Sequence, residues 1–184
     1  MNMDEIETAL QEARPSFYQY AYPVKVYWHW TAGHYFSDYN DYHFCIDVGG
    51  EITNTLPLTE IPAATYHRNT GSIAIALNCA YGAVAYKGDP YCCILGDEPP
   101  TTDQIEALAM LSAKIADVFD IPIDIEHFMT HAEAADNLDG YNAHDPYGPS
   151  STCERWDLAV LDAGDPWMSG GYILRGKAAF YQNQ

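Results

Sequence analysis

Seven histidines stand at positions 29, 34, 43, 67, 127, 131 and 144, and two of them fall where a rigid element could hold an imidazole in place. His29 lies inside the apolar run from Val24 to Trp30, and His131 ends the run IDIEHFMT that begins at Ile123. A catalytic metal site needs such ring nitrogens on stiff supports, joined by a carboxylate or thiolate, with one coordination position left open. A histidine met singly in such a setting is more often a packed residue with a satisfied hydrogen bond. Two in matched contexts favour the metal reading. The common metal and nucleophile motifs narrow the field further. No HExxH occurs, so the helix-borne ligand pair of zincin proteases is missing. His131-Ala132-Glu133 reproduces the HxE of zinc deaminases, but their PCxxC is absent, since Cys92 and Cys93 are adjacent and upstream. GxSxG, P-loop and GxGxxG patterns are absent as well.

Charge excludes other classes of partner. Eight Lys+Arg stand against 26 Asp+Glu in 184 residues, a net charge of −18 that repels phosphate backbones and anionic headgroups. Neither a nucleic-acid partner nor membrane insertion is expected, and no stretch approaches the roughly 18 apolar residues of a membrane span. Five cysteines, two of them adjacent, suit a reducing site of synthesis better than a disulfide framework. The opening MNMDEIETAL is acidic and lacks the apolar stretch of a signal peptide, so synthesis in the cytoplasm without one is expected.

The elements that must carry these side chains can be outlined. Residues 4–13 have the stripe of a short amphipathic helix, with Pro15 expected to close it. The runs Val24 to Trp30, Tyr42 to Ile52 and Ser72 to Ala80 are rich in β-branched and aromatic residues and read as three central strands or hairpin arms. Tyr81 to Pro100 reads as a long loop. Thr101 with Gln104 forms a capping-box signature ahead of a helix through Phe119. A short buried strand then leads to His131. A loop of about two dozen residues follows, a length that in compact domains usually marks function. GGYILRGKAAFYQ closes the chain as a helix.

Five blocks occur in an order that resembles a known family: VYWHWTAG from Val26, DYHFCIDVGGEI from Asp41, HRNTGSIAIAL from His67, THAEA from Thr130 and RWDL from Arg155. Together they resemble type 2 N-acetylmuramoyl-L-alanine amidases, which include phage lysozyme-type amidases and peptidoglycan recognition proteins. The resemblance runs from about Tyr22 to Leu158. It implies an α/β fold in a single domain, with a central mixed β-sheet flanked by α-helices and a zinc site in a surface groove at one edge of the sheet. Residues 1–21 would be an N-terminal helical extension, and 22–184 the catalytic domain with its C-terminal helix.

Position by position, the resemblance implies Zn²⁺ held by His29, His131 and an acidic third ligand. RWDL resembles the KWD form and makes that ligand Asp157. HDPYG resembles KxDPG and offers Asp145 instead, and Cys153 is a third candidate. Tyr42 matches the tyrosine beside the metal-bound water, and His67 matches a histidine that lines the substrate groove. Arg155 stands where the family usually has lysine. Arginine stays protonated, so it could stabilise an oxyanion but not deliver a proton to a leaving amine, which throws that task onto Tyr42 or water held by it, with the zinc-bound group as relay. Trp28, Trp30, Tyr35, Tyr39 and Tyr66 are candidates for packing on sugar rings. The implied activity is hydrolysis of the lactyl amide between N-acetylmuramic acid and L-alanine in peptidoglycan, by a monomer of phage or prophage endolysin type acting on the cell wall after release. A non-catalytic peptidoglycan-recognition domain of the same fold is the alternative.

Overall fold

The computed structural model describes residues 1–144 and 155–184. Asp145 and Cys153 lie outside the described residues. Helix α1 (Met3–Phe17) starts at a full capping box, Asn2 with Glu5, and buries Ile6, Leu10, Ala13 and Phe17 on one stripe. Pro15 does not end it. It falls in the last turn, where a proline removes only one hydrogen bond of the ladder, and the Phe17 ring packs edge-on against Phe119 at 5.2 Å.

The chain then lays down β1 (Lys25–Trp30), β2 (Phe44–Ile46), β3 (Ile52–Asn54), β4 (Ser72–Leu77) and, much later, β7 (Phe128–Thr130). These form one sheet in the order β3-β2-β4-β1-β7, in which β7 is the short strand expected before His131 and the Tyr42 to Ile52 run supplies β2 and the first residue of β3. The β2–β3 hairpin is antiparallel and all other pairings are parallel, so the sheet is mixed. As a strand of its own β3 was hard to foresee, because it has three residues and two of them are exposed. The stretch from Tyr81 to Pro100 is likewise not all loop, since β5 (Val84–Tyr86) and β6 (Cys92–Ile94) pair as a separate hairpin.

Helix α2 (Thr102–Phe119) opens on the Thr101/Gln104 capping box and ends at Asp120 in the left-handed conformation. It packs on β2 and β4 between α1 and the closing helix α4 (Gly170–Gln182). The side chains of β1 divide accordingly. Val26, Trp28 and Trp30 enter the core that faces the helices, and Trp28 Nε1 donates to Ser112 Oγ in α2 at 3.0 Å. Trp28 is fully buried and so is not available to a sugar. Tyr27 and His29 point to the opposite face, where Tyr27 packs with Met129 and Ala134. No described helix is long and apolar enough to cross a membrane.

Candidate metal centre and its cleft

The three parallel strands β4, β1 and β7 end at the same side of the sheet, the place where open α/β sheets present their sites. His29 is the penultimate residue of β1, and His131 follows the last residue of β7, which is an edge strand. Thr130 ends the strand and caps the five-residue helix α3 (His131–Ala135). Its hydroxyl accepts from Glu133 N–H, and Glu133 in turn accepts from Thr130 N–H. His131 is thereby fixed at the junction of strand and helix. The third group arrives on the segment after residue 154. Ala132 N–H donates to the Asp157 carbonyl at 3.1 Å, and Trp156 and Ala159 pack against Ala132 and Ala135.

These supports bring His29, His131 and Asp157 together, all three buried. His29 Nδ1 and His131 Nδ1 are 3.1 Å apart, and they lie 3.3 and 3.2 Å from Asp157 Oδ2. Tetrahedral zinc with bonds of about 2.0 Å to nitrogen and oxygen has ligand–ligand edges of about 3.3 Å, so the triangle fits such an ion without rearrangement. The donor chemistry fits too. Burial holds the His29 imidazole down at about 4, against the Asp157 hydrogen bond that raises it, which keeps the ring neutral at pH 7. Burial alone would raise the Asp157 carboxyl, but the two imidazoles that face it, His131 first, hold it well below the usual carboxylate range. With the proton of His29 on Nε2, that nitrogen donates to Thr65 Oγ1 at 3.1 Å and leaves Nδ1 free to bind a cation.

A cleft of about 340 Å³ opens on this triangle and is lined by His131, Asp157, Arg155, Tyr42, Trp30 and Tyr39 among others. The Tyr42 ring lies 5.2 Å from that of His29, and burial pushes its phenol far above the ordinary value, so it stays protonated. His67 lies elsewhere. It is exposed, in the left-handed conformation, with its ring against Tyr66, and it lines a separate cavity with Tyr27 and Arg68.

Other candidates prove to be structural. His43 is buried, with Nε2–H donating to the Glu60 carbonyl and Nδ1 accepting from Ala74 N–H, so both nitrogens are consumed. Glu133, the acid of the deaminase-like HAE, is taken up by its cap and by Arg175, whose Nη2 donates to Oε1 at 2.7 Å. Thr65 was missed in sequence because it sits 36 residues from the imidazole it orients and no spacing marks it. The only available hint was the general need of a ligating histidine for a partner on its second nitrogen.

No curated protein sequence matches the chain. Among solved structures, the Ph2119 endolysin from Thermus scotoductus MAT2119 bacteriophage Ph2119 is similar at 19% identity and a TM-score of 0.44, covering 60% of this chain and 72% of that one. The family model for N-acetylmuramoyl-L-alanine amidase matches residues 12–148, a span that includes His29, Tyr42, His67 and His131 and stops short of Arg155 and Asp157. With well over half its length matched, the chain belongs to the N-acetylmuramoyl-L-alanine amidase family.

Proposed function

We propose that the protein is a zinc-dependent N-acetylmuramoyl-L-alanine amidase of phage or prophage endolysin type, with His29, His131 and Asp157 as the metal ligands. One observation carries this reading: in a member of the family, two imidazole nitrogens and one carboxylate oxygen sit at the edge lengths of a zinc tetrahedron and face an open cleft. The bond cleaved is the amide between the lactyl group of N-acetylmuramic acid and L-alanine. When bound, zinc polarises the carbonyl and makes water nucleophilic at neutral pH.

The remaining steps belong to the side chains of the cleft. Thr65 Oγ1, as acceptor for His29 Nε2–H, orients the ring whose Nδ1 faces the triangle. The Arg155 guanidinium borders the cleft beside Asp157 and remains charged, so it stabilises the negative charge that develops on the carbonyl oxygen. It does not release a proton. Tyr42 Oη, kept protonated by burial, relays a proton, giving its own to the departing nitrogen as it receives one from the attacking water, so that no buried phenolate forms.

Three measurements test the proposal together. The purified protein is expected to carry about one zinc per chain, as the three-ligand open site requires. Chelation should abolish clearing of wall suspensions, and digestion of purified sacculi should release new L-alanine amino termini. Zinc-loaded protein that binds muropeptides but releases no amino termini would leave only a recognition domain.

A further inference from the structure

The second cavity, of about 290 Å³, lies on the same face of the sheet as the metal triangle, toward the start of β1. Its walls include Lys25, Tyr27, His67, Arg68, Asp139 and Tyr141. Most of the chain's few cations are neutralised locally: Arg68 by Asp139, Lys87 by Asp136, Lys114 by Glu7, Arg175 by Glu133 and Lys177 by Glu106. Lys25 differs. Asp139 lies near enough to interact with it, yet the Asp139 oxygens are already occupied, Oδ2 by Arg68 Nε at 2.6 Å and Oδ1 by Arg68 Nη2 at 2.9 Å and Tyr141 N–H at 3.1 Å. No carboxylate among the described residues comes within ion-pair distance of Lys25. Tyr27 is 2% exposed, and its hydroxyl interacts electrostatically with Asp139, Arg68, Tyr141 and Tyr22, all of which wall the cavity. No hydrogen-bond partner for that hydroxyl exists among the described residues. The hydroxyl is not sealed from solvent and borders the cavity, so an occupant there can accept its proton. Among the described residues the His67 ring has no hydrogen bond, only its contact with Tyr66.

The cavity therefore offers an ammonium and a phenol as donors, while its one carboxylate is already saturated. In a chain of net charge −18 such a site is an exception that favours an anionic acceptor. We infer that Lys25 and Tyr27, with His67 at the rim, form a subsite for a carboxylate carried by the peptide portion of the substrate whose amide is cleaved at the metal triangle. The inference rests on the proposed amidase activity for the identity of the occupant. Its distance suits the purpose. Lys25, Tyr27 and His29 are alternate residues of β1, so at a rise of about 3.3 Å per residue Lys25 lies about 13 Å from His29. An extended peptide covers that span with about four residues. A notch lined by His131, Thr65, Ala134 and Arg68 lies between, sharing His131 with the cleft and Arg68 with the cavity.

The test uses the full zinc-loaded chain and two soluble substrates, an N-acetylmuramoyl tripeptide with free carboxylates and the same compound with carboxamides. Loss of a hydrogen bond to a charged group predicts that Lys25→Met raises KM for the free acid about tenfold or more, with kcat within about twofold and KM for the amide nearly unchanged. Tyr27→Phe should shift KM for the acid in the same direction by about threefold or more. Lys114→Met, which removes the same charge at a remote ion pair on α2, should change neither substrate. Equal effects of Lys25→Met on acid and amide, or no effect on either, would overturn the subsite while leaving the amidase reading intact. If the wild type cleaves neither compound, calorimetry with the free acidic tripeptide decides. Binding that Lys25→Met abolishes keeps the subsite and removes the hydrolytic reading, and absence of binding removes both.

Discussion

Thr65 presents no atom to the metal triangle, yet its hydroxyl lies 3.1 Å from His29 Nε2 and can accept the proton that this nitrogen carries when Nδ1 binds a cation. Outer partners of this kind are worth about 10- to 100-fold in metal affinity, so Thr65→Val is expected to weaken zinc by that factor in a chelator competition. Activity at saturating zinc should largely survive, which separates the residue from a ligand. Tyr42 predicts the opposite pattern. Tyr42→Phe should keep its full zinc content and lose about 100-fold or more in kcat, the range of general acid–base groups. Full kcat with normal zinc would remove Tyr42 from the chemistry. The contrast follows from where the two hydroxyls lie, one behind an imidazole and the other in the open cleft.

At the scale of elements, the first two residues of α4 show how closely the site is built. A methyl group on Gly170 would strike the Leu158 carbonyl, and one on Gly171 would strike the carboxylate of Glu133. Glu133 caps the helix that starts at His131, and Leu158 follows Asp157, so α4 presses on two of the three ligand-bearing segments. Gly171→Ala should therefore cost about 1–3 kcal/mol in urea unfolding and weaken zinc as well. Gly176→Ala, where a methyl group would meet nothing, should instead stabilise the fold by about 0.5–1 kcal/mol and leave zinc alone. The same comparison shows what could be read in the sequence. The start of α2 and the extent of α4 were legible because caps and helical stripes are local signals. His29 and His131 stood out because each adjoins a short apolar strand. The continuation of α1 through Pro15, the hairpin of β5 and β6, and the helix begun by His131 were not legible, because tertiary contacts or only a few residues decide them. The pairing of Arg68 with Asp139 spans 71 residues, beyond the reach of any spacing rule.

For the whole molecule, the balance of charge sets how stability depends on pH. Arg68 and Asp139 form a salt bridge whose side chains are 5% and 3% exposed, tying the loop before β4 to the chain beyond α3. Burial would raise the Asp139 carboxyl, but the Arg68 hydrogen bond and the Tyr141 N–H outweigh it and hold it below its ordinary value. A carboxyl depressed in the folded state contributes stability above its unfolded pKa of about 3.9 and loses it as pH falls through the lower folded value. Asp139→Asn should accordingly cost about 1–3 kcal/mol at pH 7, where it removes the charge facing a buried guanidinium that keeps its bonds to Asn137 and the Tyr66 carbonyl. The difference from wild type in urea unfolding should narrow below pH 4. An unchanged gap at low pH would place the stabilisation somewhere other than this pair. The metal triangle has a consequence of its own at this scale. Its donors come from positions 102 and 26 residues apart in the chain, so no short fragment contains them all. A chain cut before residue 157 would therefore keep both imidazoles and lack the carboxylate that completes the triangle, so it is expected to show no tight zinc binding in a chelator competition.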